Sequence, residues 1–76
     1  MQLPVVNMRR TGERISILRE QRGLSVRELQ RLLGFATPQA IYKWQHGETL
    51  PTIDNLVALS SILDVSIDDI LVTESA

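Results

Sequence analysis

Helix stops and starts follow one another so closely in this chain that no helix can run beyond a few turns. Gly23, Gly34 and Gly47 stand where left-handed stops are needed, and Asp64 occupies a fourth such place. The starts lie between them. Ser25 with Glu28 three residues on makes a capping box, and Ser66 with Asp69 repeats the pattern. Thr11, Thr37 and Thr52 are placed to cap three more helices, with Pro38 fitting the first helical position after Thr37.

Between these marks the apolar residues recur at helical spacing. Ile15 and Leu18 form the inner face of a first helix, Leu29, Leu32 and Leu33 of a second, and Ile41 and Trp44 of a third. Ile53, Leu56, Val57, Leu59, Ile62 and Leu63 are the apolar positions of a longer fourth. Ile67, Ile70 and Leu71 serve a short fifth. No strand alternation is present. The chain of 76 residues is therefore expected to be all-α, a compact bundle of five short helices. Residues 11–72 form the domain; residues 1–10, with Arg9 and Arg10, form an N-terminal arm, and residues 73–76 a fraying tail.

With no cysteine and one histidine, neither a disulfide framework nor a Cys- or His-built metal centre is expected. The acids are scattered, the serines sit at caps, and no base neighbours a nucleophile, so no enzyme activity, cofactor or small-molecule ligand is expected. No apolar run reaches the length of a membrane span. The opening "MQLPVVNMRR" has its charges after its apolar piece, unlike a signal peptide. These features together point to a cytoplasmic protein.

The charge is segregated. All 8 Lys and Arg residues lie within residues 1–46, with only Glu13, Glu20 and Glu28 beside them. Residues 47–76 carry Glu48, Asp54, Asp64, Asp68, Asp69 and Glu74 and no basic residue. A polyanion-facing half is implied.

The second and third helices are short and joined by a turn after Gly34. Short helices are marginal alone and depend on packing. Ile41 and Trp44 turn inward, which leaves Pro38, Gln39, Tyr42, Lys43 and His46 on the outward face of the third. That is a helix-turn-helix arrangement. The stretches "GERISILREQRGLSVRELQRLLG" and "AIYKWQHGETLPTIDNLVALSSILDVSIDDIL" resemble the lambda-repressor/Cro-like, or XRE, family of helix-turn-helix DNA-binding domains over roughly residues 11–72.

The resemblance implies a transcriptional regulator, expected to be a repressor, that binds double-stranded DNA as a homodimer with its third helix in the major groove. The residues expected at DNA are Arg27, Thr37, Pro38, Gln39, Tyr42 and Lys43. Gln39 is suited to adenine, Lys43 to guanine or phosphate, and Tyr42 to a thymine methyl or a phosphate. Arg27 stands in for a phosphate-contacting glutamine that the family carries where this chain has Val26. His46 is expected to interact with the helix C-terminus. The apolar residues of the fifth helix, Ile67, Ile70 and Leu71, are expected to form the dimer surface.

Other departures from the family pattern are Gln30 in place of an alanine, one extra residue in "GFATPQAI", Gln45 rather than Glu opposite Arg19, and the acidic Glu48 in the loop after Gly47. The missing phosphate-contact glutamine at Val26, the acidic Glu48 and the acidic second half fit a second expectation, a protein-interaction module such as an antitoxin or adaptor subunit.

Overall fold

The computed structural model describes residues 1–75. Its element order is β1 (Pro4–Val6), α1 (Met8–Gln21), α2 (Val26–Leu33), α3 (Gln39–Gln45), α4 (Ile53–Leu63), α5 (Ile67–Ile70) and β2 (Thr73–Ser75). The five helices enclose one core of Ile15, Leu29, Ile41, Trp44, Leu56, Leu59, Leu63 and Ile70.

Most boundaries follow from bonds made within a turn. Ser25 accepts from the Glu28 amide while the Glu28 carboxylate accepts from the Ser25 amide, each at 3.0 Å. Ser66 and Asp69 make the same reciprocal pair at the start of α5. Thr52 accepts from the Asn55 amide at 3.2 Å and caps α4. Gly23, Gly34, Gly47 and Asp64 all hold positive φ, as their places demand.

The N-terminal end differs from expectation. The cap of α1 is Asn7, whose side-chain oxygen accepts from the Arg10 amide at 2.9 Å. Thr11 lies one turn inside the helix and is fully buried. Its hydroxyl accepts from the Val72 amide at 3.0 Å and donates to the Val72 carbonyl at 3.4 Å, and that carbonyl also accepts from the Asn7 amide at 2.8 Å. The hydroxyl therefore ties the start of α1 to the Val72 backbone and spares it an unmet, partly buried amide.

This seam continues outward as a two-stranded antiparallel pair, Pro4 opposite Ser75, Val5 opposite Glu74 and Val6 opposite Thr73. The segments expected to be an arm and a fraying tail are thus paired with each other through Thr73–Ser75. Ala76, the last residue of the expected tail, lies outside the described residues. Runs of three residues are too short for alternation to register in the sequence; spatial proximity of the two ends creates the pairing.

α1 packs against α3 at very short range. A Cβ at Gly12 would stand 2.9 Å from the Gln45 carbonyl oxygen and closer still to that of Trp44. Gly47 combines φ 73° with a backbone approach to Arg9, whose Cα would lie 2.8 Å from an added Cβ. These two glycines let α1 and the last turn of α3 lie backbone to backbone.

The core assignment needs two corrections. Leu32 is 58% exposed, and on α4 Ile53 and Val57 are 76% and 56% exposed, so these three do not line the core. Conversely, Ile70 is fully buried and Ile67 and Leu71 pack against the core. The residues expected to form a dimer surface on α5 are thus consumed by the fold. A four-residue helix has one turn with which to seal the bundle, and burying its apolar side chains is what holds it.

Candidate nucleic-acid interface

α3 has two unlike sides. Ile41 is fully buried and Trp44 nearly so, which fixes the rotation of the helix about its axis. The Phe35 and Trp44 rings meet edge to face, with centroids 5.8 Å apart and planes at 69°. Gln39, Tyr42, Lys43 and His46 lie at i, i+3, i+4 and i+7 and are all exposed. They form one continuous stripe on the solvent side.

The turn that delivers α3 is held by Gln30. Its side-chain amide donates to the Phe35 carbonyl at 3.2 Å, and its own carbonyl accepts from the Phe35 amide at 3.0 Å. An alanine at that position would leave the first of these bonds unmade. Phe35, clasped by Gln30 on one side and packed on Trp44 on the other, fixes the connection between α2 and α3.

Thr37 and Pro38 take places other than those expected. The N-cap of α3 is Pro38, at φ −84° and ψ 3°, with no side-chain hydrogen bond at the cap. The Pro38 carbonyl accepts the first helical bond, from the Tyr42 amide at 3.2 Å. Thr37 is therefore one residue too early to cap, and remains exposed in the turn. Gln39 becomes the first helical residue rather than the second.

The far end of α3 is anchored by Arg19, whose side chain is only 13% exposed. It donates from Nε to the Gln45 side chain at 3.1 Å and from Nη1 to the Leu24 carbonyl at 2.7 Å. The facing of Arg19 and Gln45 read from the sequence is present, with a neutral acceptor replacing an opposite charge. Glu20 lies 3.6 Å from the same guanidinium on its exposed side.

Arg27 is exposed in the first turn of α2, and Lys43 is exposed midway along α3. Among the described residues, ion pairs engage only Arg9 with Glu13 and Arg19 with Glu20. Arg27, Arg31 and Lys43 thus present their charges to solvent. Glu28, beside them, has its carboxyl held below its ordinary value, first by the hydrogen bond from the Ser25 amide and then by that with the Ser25 hydroxyl, with Arg31 adding a smaller electrostatic contribution.

His46, expected on the outward face and at the helix C-terminus, was not among the residues expected at DNA. The structure stacks its ring on Tyr42, with centroids 6.4 Å apart and planes 19° from parallel. The signal was available in the spacing, since position 46 completes the stripe that begins at 39. Among the described residues no group of three or more His, Cys, Asp or Glu side chains is placed to hold a metal ion. Among the described residues no helix is long and apolar enough to cross a membrane.

Known structures share this frame. The restriction-modification controller protein C.AhdI from Aeromonas hydrophila superposes with a TM-score of 0.74 at 24% identity, covering 83% of this chain and 94% of that one. The DNA-binding domain of BldD gives a TM-score of 0.73 at 18% identity, over 87% of this chain and 94% of that one. Hydroxypropylphosphonic acid epoxidase from S. wedmorenis also contains the fold, with a TM-score of 0.77 at 27% identity, but 87% of this chain spans only 35% of that enzyme. A search of curated proteins finds no match. The sequence pattern of the helix-turn-helix family, by contrast, matches residues 15–70. The chain belongs to the helix-turn-helix family of DNA-binding regulators, of the XRE type, and α2 and α3 are its helix-turn-helix.

Proposed function

We propose that the protein binds double-stranded DNA sequence-specifically, with α3 in the major groove, and represses transcription by occupying its site. The observation that carries this reading is the exposed stripe of Gln39, Tyr42 and Lys43 on a helix whose other side is locked by Ile41 and Trp44. A helix held this firmly presents its side chains in one orientation, which base recognition requires. Gln39 is suited to an adenine edge and Lys43 to guanine O6 and N7. Arg27, at the start of α2, takes a phosphate, and Thr37 and Pro38 border the groove.

A second copy completes the interface. One small domain covers little DNA, and a homodimer on a near-palindrome places two recognition helices about 34 Å apart. The surface offered for this is the exposed stripe of Leu50, Ile53 and Val57, since α5 is spent on the core. Three side chains fall well short of the roughly 800 Å² per partner of a stable interface. The dimer is therefore weak in free solution and forms on the two half-sites of the DNA.

The test is selection of bound duplexes from a random pool with the purified protein, followed by a salt titration on the enriched sequence. An enriched near-palindrome is expected, with log K falling against log salt on the order of −3 to −5 per domain. The alternative reading, a protein-interaction module, draws on the apolar exposure of Ile53 and Val57. It requires the opposite result, no enrichment and negligible duplex affinity at low salt.

A further inference from the structure

We infer that Tyr42 and His46 act as one specificity-determining unit: Tyr42 packs against a thymine methyl in the major groove, and His46 is the positioning residue that holds its ring. The inference rests on the proposed DNA-binding role of α3 and assigns a base feature to a residue pair within it.

The two rings lie four residues apart on the exposed side of the helix and stack with centroids 6.4 Å apart and planes at 19°. Such spacing falls within the range in which aromatic pairs attract. Tyr42 remains 44% exposed beside the His46 ring, so much of its own ring is offered outward. Among the described residues, neither the Tyr42 hydroxyl nor an imidazole nitrogen of His46 has a hydrogen-bond partner within the protein. The two side chains thus contribute nothing to the hydrogen bonding or apolar core of the fold.

An exposed tyrosine free to change rotamer would lose that freedom on binding. The His46 ring removes the cost in advance. His46 is itself well placed for this: it is the C-cap of α3, its backbone amide donates to the Tyr42 carbonyl at 2.9 Å, and the next amide, of Gly47, donates to the Trp44 carbonyl at 3.0 Å. The buried Trp44 on the opposite side then fixes where the stack points.

The chemistry of the stripe selects the target. Gln39 and Lys43 supply donors and acceptors, whereas Tyr42 supplies an apolar ring between them. In the major groove the one apolar feature of a base edge is the thymine methyl. That methyl sits beside the polar edges the neighbouring side chains address, so an aromatic surface in mid-stripe reads a thymine.

Replacing thymine by uracil deletes only this methyl and leaves every hydrogen-bonding edge intact. On the duplex selected by the wild-type protein, uracil at one thymine of a single half-site should weaken binding about fourfold, the factor for one methyl-sized group removed from water. Tyr42→Ala should lose that thymine-over-uracil preference. His46→Ala should reduce it, and His46→Phe, which restores a stacking ring without imidazole nitrogens, should recover it. Circular dichroism of each variant checks that the exposed substitutions leave the fold intact. Equal affinity for thymine and uracil at every position of the selected duplex would overturn the inference while leaving DNA binding standing. So would an undiminished preference in a folded His46→Ala. Enrichment of no duplex at all by the wild type would instead remove the DNA-binding reading and this inference with it.

Discussion

Replacing Gly12 by alanine should destabilise the protein, although the same change in an ordinary exposed helix stabilises it. Gly12 lies within α1, where alanine gains about 1 kcal/mol in helix propensity. Against this stands the approach of α3: the new methyl would sit 2.9 Å from the Gln45 carbonyl oxygen and closer to that of Trp44. Both obstacles are backbone atoms, so no side-chain rotation relieves the clash. The two helices must part by roughly an ångström, and the buried Trp44 and Ile41 move with α3 and lose contacts across the core. Overpacking of this kind costs up to about 3 kcal/mol, and more where backbones must move, so a net loss of about 2–3 kcal/mol remains after the propensity gain. For a domain of this size that lowers Tm by roughly 10–20 °C. Urea and thermal unfolding followed by Trp44 fluorescence and circular dichroism would measure it. Gly23→Ala is the control: Gly23 has φ +69° with nothing near an added Cβ, so it should show only left-handed strain, about 1–2 kcal/mol. A Gly12→Ala protein as stable as wild type, or more so, would refute the backbone-to-backbone packing of α1 on α3.

Three further outcomes are expected. Lys43→Ala should cost about 1–3 kcal/mol on the selected duplex and relax preference at one position, whereas Arg27→Ala should weaken all sequences alike and reduce the salt slope by about one unit; fluorescence anisotropy titrations at several salt concentrations would separate the two, and identical behaviour of both variants would undo the assignment. Because the Glu28 carboxyl is held below its ordinary value of 4.5, its capping contribution is present above that pH and is lost as pH falls through the lowered folded value; the Tm difference between wild type and Glu28→Gln should shrink below pH 4.5, and a constant difference would contradict this. Ile53→Asp should leave the monomer folded, since Ile53 is 76% exposed, while weakening binding to a two-half-site duplex more than to one half-site; equal losses on both, by titration and sedimentation, would exclude α4 from the dimer contact.

The helix starts at Ser25, Thr52 and Ser66 were legible in the amino-acid sequence because each cap is made with a residue three positions away. The same holds for the stops at Gly23, Gly34, Gly47 and Asp64, where a backbone angle suits few residue types. Trp44 and Ile41 were legible as core, and Gln39, Tyr42 and Lys43 as the outward set, because one periodicity governs both faces of a helix. What the sequence left open depends on residues distant along the chain. Thr11 has the chemistry of a cap, and only the arrival of Val72 makes it a buried link instead. Gly12 is an unremarked helix glycine until α3 lies against it. Leu32, Ile53 and Val57 obey the apolar spacing as well as their buried neighbours do, but a short helix in a small bundle has more apolar positions than the bundle has interior. Which of them remained outside was decided by the angles at which the helices meet, a property of the whole packing rather than of any local stretch.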